Sequence, residues 1–263
     1  MTFKKGFALG INSYSRAFNF LKKNRLTWYF LFPLLLNIVL FILGYTSTMN
    51  LSTRWFVYVT DWIKMDSWEF WGSGFLSSTI EFVMFIVIRI MFFLMFAFIG
   101  GYIVIILLSP VFAFLSEKVE SILTGEDFPF NFNQLIKDIW RGVRLALRNL
   151  GVELLLTVAL FTLSFVPIVG FFTGLTLFFI SAYFYGFSFI DFSLERKRMD
   201  ITESVAFVQK NKGLVIGNGT IFSLVLLIPF IGVLISSFVS IVSVTAATIS
   251  ITESMINKDL NAS

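Results

Sequence analysis

The chain has 263 residues, of which 57% are hydrophobic and 14% charged, with a formal net charge of +4 and a mean hydropathy of +0.87. An ordinary soluble domain carries about 25% charged residues, so the main solvent of this chain is lipid. It contains no cysteine and no histidine, which excludes disulfides, thiol nucleophiles, imidazole bases and the usual zinc, haem or iron–sulfur ligation.

Residues 1–25 carry Lys4, Lys5, Arg16, Lys22, Lys23 and Arg25 with no acidic group, alongside an apolar set of Phe3, Phe7, Tyr14, Phe18 and Leu21. This reads as a basic amphipathic helix on the cytoplasmic side of the membrane. A charge-free block opens at Leu26 and predicts a span over 26–46; no small-residue cleavage site follows it, so it is expected to stay as an anchor. Residues 47–80 hold Trp55, Trp62, Trp68 and Trp71 and few basic groups, as expected of an outer loop lying in the headgroup layer.

The second span is predicted at 81–109. Its one strong charge, Arg89, is costly in hydrocarbon and is expected to face protein or water, as part of a pathway or as a structural group. Glu81 lies eight positions away, about 12 Å along a helix and too far for a direct pair. Next, 110–150 reads as cytoplasmic helices. "SPVFAFLSEKVESILTG" at 109–125 has Ser109 as expected N-cap, Pro110 in the first turn and Gly125 as the stop. In 135–150, Ile136, Ile139, Trp140, Val143, Leu147 and Leu150 share one helical face, and Lys137, Arg141, Arg144 and Arg148 form the opposite stripe. Such a helix lies in the interface with its cations toward anionic headgroups, or lines a vestibule for anions.

Two further apolar blocks, 151–190 and 213–252, are each broken near the middle by a proline and a glycine: Pro167 and Gly170 in the first, Pro229 and Gly232 in the second. Basic residues flank the first on both sides, so it enters and leaves from the cytoplasm as a hairpin, and the second is read likewise. The arms Leu154 to Val166 and Gly213 to Ile228 have 13 and 16 residues, short of the about 20 that cross a bilayer. Both hairpins are therefore read as hemi-penetrating, with arms extended to full crossings as the alternative. Between them, 191–212 predicts a cytoplasmic helix started by the capping-box-like "DITE" at 200–203, and 253–263 is a cytoplasmic tail. The fold class is thus an all-α integral membrane protein, with two long transmembrane helices, two Pro/Gly-tipped helical hairpins and amphipathic interfacial helices.

Several of these pieces, in this order, resemble the CysZ-type sulfate permease family, grouped with the etoposide-induced membrane proteins: "FLFPLLLN" at 30–37, the 109–125 stretch with Pro110, Glu117, Glu120 and Gly125, "FVPIVG", "SFIDFSLERKRM", "KNKG" and "LIPFIG" followed by "TAATI". The resemblance implies an oligomer that takes up sulfate across the bacterial inner membrane without ATP hydrolysis. It also implies an anion site at a glycine-apolar-arginine turn before the first span. The corresponding residues are Asn24, Arg25, Leu26 and Thr27; Arg25 stands where the family has glycine, and Thr27 where it has arginine. A guanidinium and a hydroxyl still offer donors to a tetrahedral oxyanion.

Among function classes, catalysis is excluded as the main reading, since no GxSxG, GxxxxGK[ST] or HExxH motif accompanies the missing histidine and cysteine. No cofactor, metal or nucleic-acid partner is expected; the partners are the lipid bilayer, a small inorganic anion and further copies of the chain. Two readings stay open. One is an anion permease or channel whose second hairpin arms, beginning near Thr173 and near Ser236 and Ser237, present helix N-termini to the ion. The other is a membrane-organising protein. In the last arm Ser236, Ser240, Ser243, Ala247 and Ser250 share one small, mostly hydroxyl-bearing face, which suits a wet path or tight helix packing.

Overall fold

The computed structural model describes residues 2–63, 73–126, 132–228 and 231–260, and among these the regular structure is entirely helical. Helix α1 spans Phe3–Lys23, a 3-10 turn covers Thr27–Phe30, and α2 runs Leu31–Ile63. Then come α3 (Ser73–Leu107), α4 (Ser109–Thr124), α5 (Phe132–Leu163), α6 (Pro167–Arg196), α7 (Ile201–Lys210), α8 (Lys212–Leu226) and α9 (Gly232–Leu260). Among the described residues, five segments are long and apolar enough to cross a membrane: Thr27–Ile63, Gly74–Phe92, Trp140–Leu163, Gly170–Arg196 and Leu234–Met255. The protein is an all-α membrane protein.

Two compact units are formed, one from residues 1–34 and 101–263 and the other from 35–100. In the larger unit α8 lies between α1 and α6, and α9 packs on α1, α4, α6 and α8. Glycines set the spacing. A β-carbon at Gly213 or Gly217 of α8 would overlap the carbonyl oxygen of Phe3 or Phe7 on α1, and one at Gly10 would lie 2.7 Å from the Leu214 carbonyl oxygen. On the other side of α8, Gly219 meets the Ala182 carbonyl and Gly186 of α6 meets that of Val215. Lipid tails are as apolar as leucine, so helices in lipid gain no hydrophobic drive from pairing and rely on such close backbone approach and on hydrogen bonds. Around this contact Phe112, Phe187, Phe189, Phe222 and Ile241 are fully buried, with Phe189 and Phe222 edge-to-face at 4.9 Å.

The smaller unit comprises residues 35–63 of α2 and 73–100 of α3. Aromatic contacts join them: Phe56 sits edge-to-face on Phe85 at 5.5 Å, and Trp55 lies 6.5 Å from Phe92. Most large apolar side chains here face outward, Trp62 and Phe75 among them, as in helices solvated by lipid.

The structure differs from several expectations. Residues 47–63 and 73–80 are helical, so α2 alone is about 50 Å long and carries Trp55 and Trp62 on a helix instead of in a loop. Nothing in 47–63 breaks a helix, because the segment has neither proline nor glycine. Trp68 and Trp71 lie outside the described residues. The interfacial stretch 135–150 and the first hairpin arm form one continuous helix, α5, since Gly151 alone does not stop it. Ser109 is not an N-cap: Leu108 occupies that position, Ser109 is the first helical residue, and its buried hydroxyl has no hydrogen-bond partner among the described residues. Gly125 does end α4, in the left-handed conformation at φ 76°. The α7 capping box forms in full, with the Glu203 N–H donating to Asp200 Oδ1 at 2.7 Å and the Asp200 N–H donating to Glu203 Oε2 at 2.9 Å.

Both hairpins reverse just before their glycines. Residues 164–166 make the first turn, Pro167 opens α6 where its missing N–H costs nothing, and a β-carbon at Gly170 would lie 2.5 Å from the Ser164 carbonyl oxygen. In the second, Gly232 opens α9 and approaches the Val225 and Leu226 carbonyls in the same way, while Pro229 lies outside the described residues. The arms are unequal: α8 has 15 residues, about 22 Å, against 29 in α9.

Candidate functional site

The Asn24–Thr27 segment is the turn between α1 and the 3-10 turn, and its geometry is a Schellman motif. The Leu26 N–H donates to the Leu21 carbonyl at 2.9 Å and the Arg25 N–H to that of Lys22 at 3.3 Å. Leu26 and Leu21 are both buried, supplying the hydrophobic contact that accompanies such a cap. Asn24 donates from Nδ2 to the Phe20 carbonyl at 2.9 Å. Arg25 takes the position that calls for a left-handed backbone, at φ 58°, with its side chain exposed, and Thr27 is exposed two residues on. Of the four predicted residues, Asn24 and Leu26 hold the turn, while the Arg25 and Thr27 side chains are exposed.

The same motif recurs at the end of α6. Arg198, at φ 56°, donates its N–H to the Glu195 carbonyl at 2.8 Å, and Met199 reaches back to Leu194 at 3.4 Å. Both arginines occupy a conformation that glycine adopts at no steric cost.

On α9, Ser236, Ser237, Ser240 and Ser243 are fully buried. Ser237 donates to the Leu234 carbonyl at 2.7 Å, Ser240 to that of Ser237 at 2.6 Å and Ser243 to that of Val239 at 2.9 Å. Thr173 of α6 is buried as well. The hydroxyl face thus packs against neighbours with most of its donors returned to its own helix. Arg89 stands elsewhere, in the smaller unit: its guanidinium lies 4.1 Å over the Phe85 ring, and its buried Nε has no hydrogen-bond partner among the described residues.

Three polar clusters in the larger unit were not legible as clusters. Arg141 of α5 is clamped between α6 and α7, donating to Asp191 Oδ2 at 2.5 Å and Oδ1 at 3.1 Å, to the Met199 carbonyl at 3.0 Å and to Ser204 Oγ at 2.8 Å. The predicted basic stripe therefore loses its second member to the interior, while Lys137, Arg144 and Arg148 stay exposed. Glu120 of α4, predicted only as a motif position, pairs with Arg196 Nε at 2.6 Å and Lys197 Nζ at 3.3 Å. These cations also sit favourably at the carbonyl end of α6. Tyr14 donates to the Asn218 carbonyl at 2.5 Å and lies 2.7 Å from Ser243 Oγ, joining α1, α8 and α9. Burial pushes the Tyr14 phenol well above its ordinary value of 10, so it stays a neutral donor. Sequence offered the individual residues but no pairing, since the partners lie 50 to 229 positions apart.

Glu117 and Lys118 of α4, with Ser121, face the turn across a cleft of about 470 Å³ whose other side is Trp28, Tyr29 and Phe32. Among the described residues no cluster of acidic groups suits a metal ion.

A family model described as sulfate transporter CysZ/etoposide-induced protein 2.4 matches residues 13–236. That range takes in the Asn24–Thr27 turn, α4 and the first hairpin, and stops short of Ser237 and Ser240. The chain is 29% identical over 206 residues to a sulfate transporter CysZ of Pseudomonas fluorescens (strain Pf0-1), covering 78% of each chain. It is 26% identical over 207 residues to a sulfate transporter CysZ of Pseudomonas aeruginosa (strain LESB58), covering 76% of this chain and 78% of the relative.

Proposed function

Because the chain belongs to the sulfate transporter CysZ/etoposide-induced protein 2.4 family, we propose that it is a permease or channel for sulfate or a closely related oxyanion, working without ATP hydrolysis in a bacterial inner membrane. The observation that carries this reading is the length of the family match, residues 13–236, which reaches from within α1 to the start of α9. Arg25 and Thr27 are the first contacts for the anion: a forked guanidinium and a hydroxyl, both exposed beside the start of an apolar span. Arg89, in the smaller unit, is the intramembrane charge this reading assigns to ion passage. Each of these groups has its charge or donor available without breaking the fold's own hydrogen bonds.

A single copy does not complete the path on this reading. Helix α8, at about 22 Å, falls short of the roughly 30 Å hydrocarbon layer, so the second hairpin is hemi-penetrating and a homo-oligomer supplies the rest. Both termini are cytoplasmic. The inward hydrogen bonds of the α9 hydroxyls favour, as a second reading, a protein that organises the membrane instead of conducting through it.

The test is radiolabelled sulfate uptake into proteoliposomes holding the purified protein, beside Arg25→Ala and empty vesicles. Saturable uptake that the variant loses supports the permease reading. Uptake equal to empty vesicles, from protein that melts cooperatively, rejects sulfate permeation and leaves the membrane-organising reading.

A further inference from the structure

Helices α1, α8 and α9 meet at a polar junction made by Tyr14, Asn218 and Ser243, with Asn218 and Ser243 fully buried and Tyr14 8% exposed. The junction holds too few hydrogens for its acceptors. Asn218 Nδ2 donates to the Ser243 carbonyl at 3.3 Å, which fixes the orientation of the amide. Turned over, the amide would set Oδ1 against that carbonyl, acceptor against acceptor. Asn218 Oδ1 is left buried, with no hydrogen-bond partner among the described residues. The neighbouring hydroxyls do not supply one. Tyr14 and Ser243 carry one hydrogen each, and their contacts are with the Asn218 carbonyl at 2.5 Å, the Val239 carbonyl at 2.9 Å and each other at 2.7 Å. Three contacts share two hydrogens, so none remains for Oδ1. A buried acceptor without a donor is costly, and native structures rarely keep one.

We propose that an ordered water molecule is bound at this junction, donating one hydrogen to Asn218 Oδ1 and the other to a lone pair of Ser243 Oγ. Water suits the site because it brings two hydrogens in the smallest volume, and its two acceptors are both polar groups withdrawn from bulk solvent. Asn218 stands between Gly217 and Gly219 on α8 and faces the small-residue side of α9, where Ser240, Ser243 and Ala247 are buried. The water thereby ties the two arms of the second hairpin together, α8 through Asn218 and α9 through Ser243, beside the phenol that α1 contributes. This gives the small, hydroxyl-bearing face of α9 a hydrated point inside the helix packing.

Radiolytic hydroxyl labelling of the full chain in lipid nanodiscs, read by mass spectrometry, tests the assignment, because a radical formed from a bound water modifies the side chain next to it. The fully buried rings of Phe112 and Phe189 set the background. Tyr14 is expected to be labelled clearly above that background. Asn218→Leu, similar in size but without an acceptor, is expected to bring Tyr14 down to it. Ser243→Ala keeps the small face of α9 and is expected to lower Tyr14 labelling too, so it carries the test should Asn218→Leu fail to fold. Background labelling of Tyr14 in the wild type, or wild-type labelling of Tyr14 in either variant, overturns the assignment.

Discussion

Replacing Arg25 by glycine separates folding from function at the proposed anion site. At φ 58° Arg25 carries the steric cost of a β-carbon in the left-handed region, about 1–2 kcal/mol. Glycine removes that cost and gives back part of it through the greater freedom of the unfolded chain, about 0.5–1 kcal/mol. The net gain is roughly 0.5–1 kcal/mol, or about 1–4 °C in a chain of this size. Arg198→Gly, at φ 56° in the same type of cap, gains as much. Thermal unfolding followed by tryptophan fluorescence, with sulfate uptake on the same preparations, gives both readouts. Arg25→Gly is expected to melt higher and transport less, Arg198→Gly to melt higher and transport as wild type, and Arg25→Ala to gain no stability. If both glycine variants melt below wild type, the left-handed strain is not the governing cost and the reasoning fails. If Arg25→Gly transports at the wild-type rate, the guanidinium is not part of the anion path.

Removing Arg141 strands Asp191, whose side chain is 3% exposed, so Arg141→Leu is expected to cost about 3–5 kcal/mol, whereas Arg141→Leu with Asp191→Leu recovers most of it; a double-mutant cycle on melting temperatures measures the coupling. In Gly219→Ala the new methyl group overlaps the Ala182 carbonyl oxygen, forcing α6 and α8 apart, and a loss of 2 kcal/mol or more should appear as early unfolding or a lost monodisperse peak. Tyr14 binds its proton more tightly in the folded than in the unfolded chain, so its contribution is fully present below pH 10 and is lost as pH rises beyond that. Tyr14→Phe is expected to lower stability at pH 7 by about 1–2 kcal/mol and to soften the alkaline decline, read from melting curves between pH 7 and 11.

The same residues show how far sequence reaches. Apolar length, the absence of histidine and cysteine, and the asymmetry of basic groups are properties of segments, each acting on lipid and water independently of the others. They determine an all-helical membrane chain and the ends of α4 at Gly125 and of α7 at Asp200, because caps and spans depend on neighbours a few positions away. Sequence also exposed the anomaly at Arg25, a charged side chain where a glycine turn was implied, though not that the backbone keeps the glycine conformation regardless. The pairs Gly6 and Gly10 on α1 and Gly213 and Gly217 on α8, each four apart, carry in sequence the small-residue spacing of a close helix contact.

Only the tertiary structure decided which charges are used up in holding the protein together. Arg141, Glu120, Arg196 and Tyr14 look no different in sequence from the exposed Arg144, Glu126 and Arg198, yet the first set is held in ion pairs or hydrogen bonds between helices. A pairing energy depends on the distance between groups far apart in the chain, and that distance exists only after the glycine faces of α1, α6 and α8 have brought the helices together.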